Sequence, residues 1–153
     1  VGDNDTDLKL AIMADIGRHD KNDFDQKANS PVDLVRVATY IHQMPEAIDM
    51  VEDAAKKGYE TSCNIMAVSN TQENDLKVAL EMLGKTPVDC IYIVDSFGSI
   101  YPEQMARLAN IYLEIAEKYN KKTFSSLSLL HKAFPSEALQ PFSCSFLSEV
   151  LFL

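Results

Sequence analysis

The feature that most constrains this chain is an alternation of two periodicities. Short apolar runs rich in β-branched residues alternate with amphipathic stretches four times, at a spacing of about 30 residues. The runs are Leu8 to Ala14, Leu34 to Thr39, the core of Tyr59 to Val68, and Val88 to Ser96. Antiparallel neighbours can be joined by tight turns, whereas parallel neighbours need a crossover of about this length. The pattern therefore predicts βαβ units in a parallel sheet, either a (β/α) barrel or a doubly wound fold. The last run is the clearest. From Cys90 to Ser96 it is apolar or small except for Asp95, and it leads into a turn at Gly98 and a helix opened by Pro102 with Glu103 beside it. Asp95 and Ser96 thus belong at the carboxyl end of a buried strand, the rim where α/β folds bind ligands.

The intervening stretches carry helix signals. Pro45 opens a segment whose Ala47, Ile48, Val51, Ala54 and Ala55 repeat at helical spacing, and Gly58 ends it. Ser69-Asn70-Thr71 is expected to cap a second helix faced by Leu76, Ala79, Leu80 and Leu83 and closed by Gly84. A third runs from Pro102 to about Tyr119. Arg18 to Pro31 is polar and reads as a loop, with a short helix as the alternative. Val32-Asp33-Leu34-Val35-Arg36-Val37 echoes Val88-Asp89-Cys90-Ile91-Tyr92-Ile93, each after a proline, which favours repeated units.

Composition narrows the class. The 153 residues are 46% hydrophobic and 24% charged, ordinary for one globular domain with a sizeable core. A formal charge of -9 argues against nucleic acid and against an anionic membrane surface, both of which reward clustered Lys and Arg. No apolar run reaches the roughly 20 residues of a membrane-spanning helix. Val1 to Asp7 is acidic and polar, unlike a signal peptide. Cys63, Cys90 and Cys144 are too far apart for a zinc knuckle or a CxxC pair, and the first two fall in predicted strands. Buried reduced thiols in a cytoplasmic protein are the expectation.

After Thr123 the character changes. The last 30 residues hold five of the seven Phe but only two of the 23 acidic residues. The chain is therefore divided into residues 1–123, which follow the strand–helix pattern, and an atypical tail, 124–153. Phe124 to Leu130 suggests a fifth strand and Glu137 to Leu139 a helical turn.

Several polar residues invite chemistry and most decline it. Asp3, Asp5 and Asp7 alternate like a calcium loop, but Leu8 and Ala14 stand where that loop needs Gly and Glu. His19 among Asp15, Asp20, Asp23 and Asp25 reads as a solvated surface, His42 as a loop residue, and His131 has no role. Isolated glycines at 17, 58, 84 and 98 make no phosphate-binding loop. Arg36 is different. It interrupts an apolar strand, and a buried guanidinium needs a partner, with Asp15 and Asp95 as candidates, or a polar cavity that admits a carboxylate.

Val32 to Thr39, Cys63-Asn64-Ile65-Met66 and Tyr92 to Gly98 together resemble consecutive strands of the metal-dependent aldolase and acyltransferase family. That family includes 4-hydroxy-2-oxovalerate aldolase, isopropylmalate synthase, homocitrate synthase and hydroxymethylglutaryl-CoA lyase, and the aldolase branch looks closest. The likeness runs in order over residues 8 to 122. It implies a partial (β/α)8 TIM barrel, with the four strands as the third to sixth of the eight. It also implies a divalent metal (Mn or Mg) and a small 2-oxo acid substrate. By the same match Ser96 would touch the oxo acid, Asp95 would neighbour it at the rim, and Arg36 and Asn64 would line the barrel mouth. The family's metal ligands come from an Arg-Asp pair on the first strand and a His-x-His pair on the seventh. No residue before Leu8 matches the first, and Thr123 to His131 carries one lone histidine in place of the second.

A full barrel takes about 250 residues. The expectation is thus an internal fragment of an aldolase cleaving a 4-hydroxy-2-oxo acid to pyruvate and an aldehyde. It has no catalytic base of its own, is inactive alone, and is prone to self-association through raw sheet edges. The alternative is a non-catalytic open-sheet α/β binding module, since four βα units suffice for an open sheet.

Overall fold

The computed structural model describes residues 8–94, 100–125 and 150–152. Its strands are β1 (Lys9–Asp15), β2 (Leu34–Thr39), β3 (Glu60–Ile65), β4 (Cys90–Ile93), β5 (Lys122–Ser125) and β6 (Val150–Phe152). The α-helices are α1 (Met44–Lys56), α2 (Glu73–Gly84) and α3 (Pro102–Tyr119). Every pairing is parallel. Strands β1 to β5 lie side by side in chain order, and β6 joins beyond β1. A doubly wound sheet reverses its strand order at a switch point. None occurs between β1 and β5, so right-handed crossovers place successive helices on one face, as in a barrel wall.

Helices follow β2, β3 and β4, whereas β1 and β2 are joined by two single 3-10 turns, Lys21–Asp23 and Lys27–Asn29. The expected alternation is therefore realised by α-helices three times. Proline starts α1 and α3 within their first turns. Gly58, at φ +94°, reverses the chain after α1 into β3. Gly84 answers a different demand. A Cβ there would sit 2.5 Å from the Tyr119 ring, so the glycine lets α2 and α3 approach. The expected Ser69-Asn70-Thr71 cap is not formed. Val68–Asn70 is a 3-10 turn entered through Ala67 in the left-handed region, and Gln72 precedes α2 without a side-chain cap.

The core lies between sheet and helices. Val35, Val37, Cys63, Ile65, Ile91 and Ile93 meet Ala47, Val51, Leu76, Leu80, Met105 and Tyr112 there. The two thiols expected in strands, Cys63 and Cys90, are both buried. Among the described residues no helix is long and apolar enough to cross a membrane.

The internal echo has a structural counterpart at the amino ends of the strands. Asp33, preceding β2, accepts the Leu10 amide of β1 through its carboxylate at 2.9 Å and donates its own amide to the Leu10 carbonyl at 2.8 Å. Asp89, preceding β4, repeats both bonds with Thr61 of β3, at 2.8 and 3.1 Å. Each aspartate staples its strand to the one before it.

Candidate functional site

Side chains alternate between the faces of a strand, and register partners in neighbouring strands share a face. One row across the sheet reads Met13, Arg36, Ser62, Cys90, Lys122. The next row toward the carboxyl ends reads Asp15, Ala38, Asn64, Tyr92. Both rows lie on the face turned away from the helices. Ala11, Leu34, Ala38, Cys90 and Tyr92 are buried on this face, outside the helix-side core.

Two of the four site residues expected from sequence, Arg36 and Asn64, are thereby brought together on one face of adjacent strands. Asp95 and Ser96 lie outside the described residues. Arg36 is half-buried, and its guanidinium carbon stands 4.7 Å from the centre of the Tyr92 ring. Burial pulls the arginine below its ordinary pKa, while Tyr92 and Cys90 act in the opposite direction. Asp15, one proposed partner for Arg36, instead faces Arg18 at 3.5 Å.

Ser62 is fully buried and Asn64 nearly so. The Ser62 hydroxyl and the Asn64 Oδ1 make no hydrogen bond among the described residues. Leaving a buried polar atom unbonded costs about 1–3 kcal/mol, so two on one face mark a place where a polar ligand or water would be welcomed. Below them a void of about 20 Å3, room for one water molecule, is lined by Leu34, Glu60, Ser62, Cys90, Tyr92 and Lys122. The face opens at β1, where Met13 is 46% exposed. The arrangement offers a cation, an amide and a hydroxyl to a small anion entering from that side.

Ser62 and Tyr92 are not among the site residues expected from sequence. Counting by twos from Asn64 places Ser62 on its face, but assigning Tyr92 needs the β3–β4 register, which no local pattern encodes. A second hollow, of about 370 Å3, lies beyond β1 and is lined by His19, Asp20, Lys21, Gln43, Glu46 and Asp49 among others. Its charges largely answer one another, with Lys21 2.6 Å from Asp49. His19 is exposed and 4.0 Å from Asp23, and His42 stacks on Tyr40. Among the described residues no three His, Cys, Asp or Glu side chains gather to hold a metal ion. They do not by themselves fit the divalent ion that the family resemblance implies.

No family model matches the chain. Among solved structures it is similar to one described as the "crystal structure of the N-terminal domain of a putative aldolase from Bacteroides vulgatus". The TM-score is 0.53 at 18% sequence identity, over 76% of this chain and 48% of that one. The chain thus spans about half the length of that neighbour. At this identity the likeness speaks to architecture, and the parallel in-order sheet with its helix-covered outer face is an aldolase-like α/β fold.

Proposed function

We propose that this chain is part of a divalent-metal-dependent aldolase that cleaves a 4-hydroxy-2-oxo acid to pyruvate and an aldehyde, with β1 to β4 as the third to sixth strands of its barrel. The observation that carries the reading is the placement of Arg36, Ser62 and Asn64 on the sheet face away from the helices. Arginine presents paired donors that match a carboxylate, and the hydroxyl and amide can bond the neighbouring oxo group. Asp95 and Ser96, by the family match, would add their contacts from the rim. In the parent the metal would stabilise the enolate, held by side chains beyond those described here. The Arg36 side of the sheet would bind and orient the acid end of the substrate.

Titration of the chain with pyruvate, followed by NMR of the Arg36 Nε–H and the Asn64 side-chain amide, tests this. Saturable shifts of both are expected, with Arg36→Gln weakening binding about tenfold or more, the weight of a lost charged hydrogen bond. Binding that ignores Arg36→Gln, or no binding at all, would sink the reading. Cleavage of a 4-hydroxy-2-oxo acid by the chain alone is not expected.

One observation favours the second reading, a non-catalytic open-sheet module. β6 pairs with Lys9 to Ala11 and so covers the β1 edge that a barrel would offer to its preceding strand. A compact, cooperatively unfolding monomer indifferent to pyruvate would support the module. Self-association through the β5 edge would support the barrel fragment.

A further inference from the structure

The path from Arg36 to Tyr92 crosses an entire strand. Tyr92 is on β4 and Arg36 on β2, two strand spacings or about 10 Å apart across the sheet. Tyr92 also lies one inward-facing row nearer the carboxyl ends. The arginine must therefore lean diagonally over β3, between the inward-facing Ser62 and Asn64, to bring its guanidinium 4.7 Å from the ring. A serine leaves clearance for that crossing where a larger side chain would block it. The ring itself is 3% exposed, so it forms a fixed surface.

We propose that Tyr92 is a positioning residue. Its ring face holds the Arg36 guanidinium across β3, beside the Ser62 hydroxyl and the Asn64 amide, so that an incoming carboxylate meets all three. The assignment of that carboxylate to a 2-oxo acid rests on the aldolase reading; the clamp itself rests on the geometry alone. An unbraced arginine loses several rotors' worth of freedom when it binds, and a braced one has lost much of it beforehand. The contact needs the aromatic face, not the phenol oxygen, because the ring quadrupole attracts the cation.

The test compares wild type, Tyr92→Phe and Tyr92→Leu by NMR and by pyruvate titration. In the ligand-free wild type the Arg36 Nε–H should show an upfield ring-current shift, which Tyr92→Phe keeps and Tyr92→Leu abolishes. Pyruvate affinity should hold in Tyr92→Phe and fall about five- to thirtyfold in Tyr92→Leu, the range expected of a partly desolvated cation–π contact. An absent ring-current shift in the wild type overturns the proposal without any variant, whether or not Tyr92→Leu folds. Equal affinity in all three proteins, or equal loss in Tyr92→Phe and Tyr92→Leu, overturns it as well. A ring-current shift with no pyruvate binding supports the clamp and removes the aldolase reading, so the two failures are told apart.

Discussion

The two faces of this sheet are built from the same strands and obey different rules. The helix-covered face is almost uniformly aliphatic, with Val35, Val37, Ile65, Ile91 and Ile93 closed over by α1 to α3. The opposite face carries an arginine and a serine in one row and an asparagine and a tyrosine in the next, on three adjacent strands. Burial alone does not separate them, because Ser62 is as deeply covered as Ile65. The helix side also has buried hydroxyls unbonded among the described residues, on Tyr112 and Thr123. What separates the faces is the presence of a cation beside the unbonded atoms. One face stabilises the fold, and the other keeps polar groups in reserve for something that arrives later.

Alkaline pH should break the helix-covered face first and most completely. Burial pushes the Cys63 thiol from 9.0 up to about 12, and it raises the Tyr112 phenol as well, with Cys63 adding to that rise. Both groups stay neutral in the folded protein while the unfolded chain begins to ionise near pH 9. The stability they contribute is whole below that pH and drains away as pH climbs toward 12. Urea midpoints should be flat below about pH 9 and fall steeply above it, with Cys63→Ala softening the fall. A midpoint indifferent to pH over that window would show Cys63 to be open to water.

Next in size is truncation of the same layer. Ile65 is fully buried, and Ile65→Ala should cost about 2–5 kcal/mol in denaturant unfolding, the transfer loss plus the cavity left behind. Pyruvate affinity in the fraction that remains folded should be unchanged, since Ile65 faces the helices. Altered affinity would mean that the two faces are coupled.

How much of this was legible beforehand differs by face. The aliphatic face could be read because strands and helices impress different periods on apolar residues, and because Pro45, Gly58 and Pro102 punctuate them. The polar face could be read only in part. Arg36 was conspicuous as a charge in an apolar strand, and Asn64 came with the family resemblance. Tyr92 in Cys90-Ile91-Tyr92-Ile93 resembles any core aromatic until β3 and β4 are aligned. Strands buried on both faces lose the polar alternation that would tell inside from outside. β6 was missed for a related reason. Val150–Phe152 becomes a strand through pairing with Lys9 to Ala11, far away in sequence.

The repeated aspartates allow a smaller perturbation that belongs to neither face. Asp89→Ala leaves the Thr61 amide without its side-chain acceptor, at a cost of about 1–3 kcal/mol. Asp33→Ala should cost a similar amount through Leu10. Both sit at the amino ends of the strands, where barrel residues stabilise and do not catalyse. Both variants should therefore lose thermal stability and keep pyruvate affinity. A binding defect in either would move the functional end of the sheet.

The smallest expected change in stability is the one that discriminates most. Ser62→Ala removes a hydroxyl that is fully buried and unbonded among the described residues, so unfolding free energy should move by less than about 1 kcal/mol and in the stabilising direction. Pyruvate affinity should fall in the same variant. A residue that serves packing loses stability when it is truncated, and a residue held for a ligand gains stability and loses binding. A clear loss of stability in Ser62→Ala would instead mean that the hydroxyl is already bonded, most simply to a water in the void beneath it. The polar face would then be a hydrated part of the core, and the contrast between the faces would narrow to Arg36 and Asn64 alone.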